Sequence, residues 1–338
     1  MSFTVFLGNL PTWVTADDIK QWLAAEDLVA EQAAFGCNRE EIAMVLKPMA
    51  TDAKEPTFSM GDDTPFAAVA TRARPVYGFL KQRFAQVSNP PIDHLRERLV
   101  MSLRTCIGPK HPLLLEDPAS ARLLELRTFF LYPDAVAGLL DATRSPFRAE
   151  RLDATFAVSR GDDGLEAGID ALVSAGLAAV RDGAAVLIVS DASISDERAP
   201  IPSLLALGAL HHALVEARVR QAASLVIDSG DARDTHSIAC LLGYGADAIS
   251  PRVALATVAA MADDDQLGEL HSADAQAKLQ AAIEDGVLKI LEDGDLDGRW
   301  LPRRSDLRSA RSRPRGRRYL PERHDVHRRR PRFRRARC

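Results

Sequence analysis

The chain has 338 residues, 46% of them hydrophobic and 27% charged, with a formal net charge of -4. That length is enough for one large or two ordinary domains around a substantial core. No stretch approaches the roughly 18 consecutive apolar residues of a helical membrane span, and the amino terminus lacks the basic and small-residue pattern of a secretory signal. Cys37, Cys106, Cys240 and Cys338 are scattered without CxxC spacing, which argues against a zinc site or a disulfide framework and fits a reducing, cytoplasmic location.

The small net charge conceals a division. Residues 292–338 hold 17 Arg, no Lys and 7 Asp plus Glu, about +10, so the remainder carries about -14. Two compositions are joined near residue 291.

In chain order, residues 16–34 have the pattern of a helix behind Thr15, with Trp22, Leu23 and Val29 turned inward. Asn38 caps a second helix whose apolar stripe is Ile42, Val45 and Leu46. Residues 55–65 run between two prolines with Ser59, Met60 and Gly61 at the centre, the composition of a loop. Residues 76–87 predict an amphipathic helix on Tyr77, Phe79, Leu80 and Phe84, ended by Pro90 and Pro91. Further helices are expected over 92–103 and 117–126.

The centre of the chain is residues 152–250. Short apolar runs at 152–158, 184–190, 223–228 and 246–250 alternate with helix-period segments at 161–181 and 201–218. Continuous apolar runs between amphipathic helices are strands buried on both faces of a parallel sheet. The fold class is therefore α/β, a parallel sheet with flanking helices, preceded by a mainly helical segment.

Ligands of open parallel sheets sit beyond the carboxyl ends of the strands. Asp191 and Asp228 fall there, either as a metal-holding or acid–base pair or, the reading favoured by their ordinary strand-end setting, as turn and helix caps. Residues 243–251 lack the third glycine of a dinucleotide loop and read instead as a helix end, a turn and a short strand. His211 and His212 are adjacent on a helix, pointing about 100° apart, so they do not converge on one metal. His236 opens the next helix, where one polar contact accounts for it. No catalytic residue and no metal ligand is assigned.

Several stretches are similar to the central domain of the glutamate synthase large (alpha) subunit. They are FGCNREEIAMVLKPMA (35–50), EPTFSMGDDTPFAAVA (55–70), RPVYGFLKQRFAQVSNPPIDHLRERLVMSL (74–103), GAAVLIVSDASISDERAPIPSLLALGALHHALV (183–215) and HSIACLLGYGADAISP (236–251). The resemblance implies L-glutamate formation from glutamine and 2-oxoglutarate by the whole enzyme, with residues 35–290 as an ammonia-channelling connector. It also implies a glutaminase domain, an FMN-binding barrel with a [3Fe-4S] cluster and, in NADPH-linked forms, a small (beta) subunit as partners. Contact with the flavin domain and 2-oxoglutarate would fall at Ser59, Met60 and Gly61. The connector itself is expected to bind neither cofactor.

Residues 1–34 are then a helical linker and 291–338 an appended segment expected to be disordered. Back-translation from Glu292, shifted one base forward with synonymous codon choice, yields a sequence similar to the start of the family's FMN domain. A shifted reading frame near Leu291 and a truncated chain without activity of its own are the expectation. The alternatives are a stand-alone α/β protein whose basic tail binds nucleic acid and a free-standing small-molecule enzyme over 150–290.

Overall fold

The computed structural model describes residues 25–57, 75–80, 101–110 and 122–292. Its centre is a four-stranded parallel sheet in the order β3-β5-β7-β8, built from Ala149–Asp153 (β3), Val186–Ser190 (β5), Ser224–Ser229 (β7) and Ala248–Pro251 (β8). Every residue of β5, β7 and β8 is buried, as expected where both faces are covered. Helices α5 (Gly161–Arg181), α6 (Ser203–Glu216) and α7 (Thr235–Gly243) make the crossovers between successive strands. α8 (Arg252–Asp263) and α9 (Ser272–Glu292) follow.

One face of the sheet carries Leu187, Leu225 and Ile249 into the main core, against Ile169 and Leu172 of α5, Leu204 and Leu207 of α6, and Leu279 of α9. The opposite face sets Ile188, Val226 and Ala248 against Ile107, Leu124 and Leu126. Those last three belong to β1 (Thr105–Ile107) and β2 (Leu124–Leu126), an antiparallel pair. Val136 and Leu139 of α4 (Pro133–Leu140) complete that layer. Beyond β8 the backbone of Phe130 continues the sheet in parallel, with the Leu131 amide donating to the Ile249 carbonyl at 2.8 Å.

Upstream lie α1 (Ala25–Ala34), α2 (Arg39–Glu41), a π-helical segment (Ile42–Leu46) and α3 (Lys47–Asp52). α1 stops at Gly36, where φ of 65° lets the Cys37 amide turn back onto the Gln32 carbonyl at 2.7 Å. α2 begins with a capping box between Asn38 and Glu41, as the sequence indicates. The wide π turn has a local cause in Pro48. A proline has no amide to give the carbonyl four residues back and its ring collides with that carbonyl. Spreading the preceding turn, with the Lys47 amide on the Ile42 carbonyl, relieves both.

Some expectations are corrected. Residues 152–158 do not form one strand: β3 ends at Asp153, and β4 (Thr155–Ala157) turns away to pair antiparallel with β6 (Arg198–Pro200). Asp153 causes the break, its carboxylate accepting both the amide and the hydroxyl of Thr155 and also binding Arg198 at 2.5 Å. The helix expected from residue 76 is a 3-10 turn, Val76–Phe79, that passes into extended backbone at Leu80; residues 81–87 lie outside the described residues. Leu124–Leu126 is strand rather than helix end, because alternate burial of Leu124 and Leu126 under the sheet outweighs helical propensity. Val29 faces outward, 66% exposed, while Leu28 takes the inward position. Thr15, Trp22, Leu23, residues 92–100 and the segment 293–338 lie outside the described residues; of the helix expected over 92–103, the described residues 101–103 are not helical. Among the described residues no helix is long and apolar enough to cross a membrane.

Candidate functional site

The carboxyl edge of the sheet gathers polar side chains from both faces of the strands. Side chains alternate along a strand, so Ser190, Asp228 and Ser250, each two residues after Ile188, Val226 or Ala248, share one face and one register row. Ser190 Oγ donates to Asp228 Oδ2 at 2.7 Å. Ser250 Oγ is buried without a hydrogen-bond partner. Asp191 and Ser229 follow one residue on and face the other way, toward α6. There Ser203 Oγ lies 2.7 Å from Ser229 Oγ and 3.5 Å from Asp191 Oδ2.

Asp191 is the centre of this arrangement, 1% exposed. Its two oxygens accept the Gly230 amide at 3.1 and 3.0 Å, and Oδ1 also accepts Arg252 Nη2 at 2.8 Å. Arg252 heads α8, and its other terminal nitrogen donates to Glu31 Oε1 of α1 at 2.6 Å. Its Nε is 3.9 Å from Asp228 Oδ1, too far for a hydrogen bond. Burial pushes the Asp191 carboxyl up to about 7, against the pull of Arg252 and with further upward pressure from Asp231 and Asp228.

The turn after β7 is fixed by its own acid. Asp231 Oδ1 accepts Ser229 Oγ at 2.6 Å and Tyr77 Oη at 2.8 Å, and its Oδ2 accepts the Ser203 amide at 3.0 Å. Burial, then Asp231, raises the Tyr77 phenol well above its ordinary value. Arg233 spans from the Phe35 carbonyl, 3.1 Å away, to Glu41, 3.2 Å away.

The two aspartates singled out from sequence are thus at the same edge, with both oxygens of Asp191 and Oδ2 of Asp228 taken by the protein's own donors. Neither faces a group of metal ligands: among the described residues no three His, Cys, Asp or Glu side chains are placed to hold an ion. His236 Nε2 lies 3.0 Å from the Tyr77 carbonyl and 3.8 Å from Cys240 Sγ, polar contacts of the kind its position called for. His211 is half-buried and His212 exposed, with rings perpendicular at 5.6 Å. Ser59, Met60 and Gly61 lie outside the described residues. Sequence reasoning passed over Arg252 and Glu31. The first was findable, since it follows the last strand as Asp191 follows β5; the second depends on where α1 docks.

A second polar cluster marks the opposite, amino-terminal edge. Asp247 accepts the Leu225 amide at 2.8 Å, Lys110 at 2.5 Å and Arg220 at 3.3 Å. Arg220 also donates to His211 Nδ1 at 3.1 Å and to the carbonyls of Ala223 and Gly245. Burial, then Arg220, holds His211 down to about 4, so the ring is a neutral acceptor. This cluster clamps strand starts together.

The class so defined is a parallel α/β domain whose carboxyl edge is sealed by an internal network of acids, hydroxyls and one guanidinium. A family model described as the glutamate synthase central domain matches residues 30–293. The chain is 39% identical over 280 residues to "Ferredoxin-dependent glutamate synthase 2" of Synechocystis sp., covering 79% of this chain and 18% of that protein. It is 36% identical over 265 residues to "Glutamate synthase [NADPH] large chain" of Bacillus subtilis, covering 78% of this chain and 17% of that protein. It is likewise 36% identical over 261 residues to "Glutamate synthase [NADH]" of Schizosaccharomyces pombe, covering 76% and 12%. The chain belongs to the glutamate synthase family and matches its central domain. It spans less than a fifth of the length of these relatives.

Proposed function

We propose that residues 35–290 are the connector domain of a glutamate synthase large subunit, holding the ammonia-producing and flavin-bearing parts of an oxidoreductase in register and walling part of the ammonia route. The observation that carries this reading is the family match over 30–293, set against relatives five or more times longer than the matched part. The sealed carboxyl edge supports it as well. A domain whose task is to position others needs its strand ends tied down rather than opened to a substrate.

The family's FMN and [3Fe-4S] cluster do not fit the described residues. Cys37 and Cys240 are buried and Cys106 half-buried, with no third ligand grouped beside any of them. The carboxylate-rich edge would repel a flavin phosphate. Both groups are assigned to the enzyme's other domains. The partners of the connector are those domains and, in an NADPH-linked enzyme, a small subunit, in the cytoplasm. The change of composition at residue 292 falls beside the end of the family match, which supports a shifted reading frame for 292–338.

Two experiments test the reading. The purified chain, given glutamine, 2-oxoglutarate and reductant, yields no glutamate; turnover would overturn the connector assignment. Residues 35–290 exchanged for the corresponding segment of the Bacillus subtilis large chain preserve glutamine-dependent glutamate formation. A chimaera that folds, hydrolyses glutamine and makes no glutamate would overturn it from the other side.

A further inference from the structure

The helix α1 closes the carboxyl edge with little material. Its buried side chains, Leu28 and the adjoining Phe35, pack on Val253 and Ala256 of α8 in a small cluster separate from the main core. Ile194 and Ala260 flank that cluster, and the other ties among the described residues are polar. Glu31 takes Arg252, Gln32 donates to Thr257 Oγ1 at 2.8 Å, and Arg233 holds the Phe35 carbonyl. Elements held by few apolar contacts are those that open locally.

What α1 covers is charged. The Phe35 ring lies on Gly230, whose amide is bonded to Asp191, and the Arg252 guanidinium sits 5.9 Å from the same ring. The groups facing Asp191 are Arg252 from α8, Asp228 from the end of β7, Asp231 from the following turn and the uncharged Ser203 from α6. Glu31 of α1 reaches it through Arg252, and Tyr77 of the 3-10 turn through Asp231. The charge of Arg233 is directed to Glu41. Three carboxyl groups (Asp191, Asp228 and Glu31) therefore share the Arg252 guanidinium, with Asp231 close beside Asp191, and α1 packs over them.

We propose that residues 25–36 form a strap over the carboxyl edge of the sheet, anchored by Cys37 in the main core, whose grip loosens as Asp191 loses its proton. The strap keeps Asp191 dry, and a dry carboxyl beside other acids favours the neutral form. Lifting the strap hydrates Asp191 and favours the ionised form. By linkage the two equilibria oppose each other: docking is strongest below about pH 4, where Asp191 is neutral in both states, weakens as pH rises toward about 7 and is level above it. Release exposes Arg252, Glu31 and Asp191 together, and it places control of the carboxyl edge at the start of the domain.

Native-state hydrogen exchange on the full chain, corrected for intrinsic exchange, tests this at the amides of residues 28–36. Between about pH 4 and about 7 their protection falls, by up to roughly tenfold per pH unit, and it levels off above neutrality, while at every pH they exchange faster than the β5 and β7 amides. Asp191→Asn keeps the strap protected and removes the slope. Glu31→Gln lowers protection at every pH and leaves the slope in place. Flat strap protection in the parent chain overturns the proposal, as does a slope that survives in Asp191→Asn. Where Asp191→Asn does not fold, the parent slope and the Glu31→Gln offset decide it, and an unshifted Glu31→Gln counts against the strap.

Discussion

The ring of Phe35 rests on the α-carbon of Gly230, leaving no space for a side chain: a Cβ there would lie 2.1 Å from the ring. The backbone of Gly230 is not in the left-handed region, so contact rather than conformation reserves the position. Gly230→Ala must move Phe35 or the turn that carries the amide bonded to Asp191. Overpacking of this kind costs roughly 1–3 kcal/mol, and the urea midpoint should fall accordingly. An unshifted midpoint would show that Phe35 leaves its seat freely.

Global stability should depend on pH through Asp191. Its carboxyl titrates at about 7 in the folded chain, raised chiefly by burial, and near 4 when unfolded. A raised folded value stabilises fully below the unfolded value and is lost as pH climbs through the folded one. Stability from this group therefore declines between about pH 4 and about pH 7, at up to about 1.4 kcal/mol per pH unit. Urea titrations across that window should show the decline, and Asp191→Asn should flatten it.

Asp247 is a third point of test, remote from the carboxyl edge. Asp247→Ala deprives the Leu225 amide and Arg220 of an acceptor, and the Arg220 side chain is only 17% exposed. Removing one member of a buried pair costs on the order of 3–5 kcal/mol. Asp247→Asn keeps an acceptor for Leu225 and should lose less. Thermal unfolding of the two variants separates the charge from the hydrogen bond.

A chain ended after Glu292 should unfold at the same urea concentration as the full chain, if residues 293–338 are frame-shifted text rather than part of the domain. The DNA should then contain flavin-domain codons in the neighbouring frame downstream of codon 291. A large drop in midpoint on truncation would contradict the frame-shift reading.

The sheet was readable in advance because β5, β7 and β8 carry consecutive apolar residues (Val186–Val189, Leu225–Ile227, Ala248–Ile249), as strands covered on both faces do. α5 was readable to the residue, since its apolar period is unbroken over Gly161–Arg181. The errors fall where a local tie or a distant partner decides the structure. Asp153 breaks an apolar run by folding onto Thr155 and Arg198, which composition cannot reveal. Leu124–Leu126 becomes a strand only because Thr105–Ile107 lies beside it. At the carboxyl edge, Asp191 and Asp228 were legible as strand-end acids, whereas the use of Asp191 depends on Arg252 and Glu31, brought to it by two helices far apart in the chain.

The pairing of Phe130 with Ile249 has a consequence for synthesis. A chain leaving the ribosome releases Leu124, Leu126, Phe129, Phe130 and Leu131 early, yet the backbone partner of Phe130 emerges roughly 120 residues later. For that interval an apolar, unpaired edge stands exposed in the nascent polypeptide. The last strand to appear, β8, is the one that closes it.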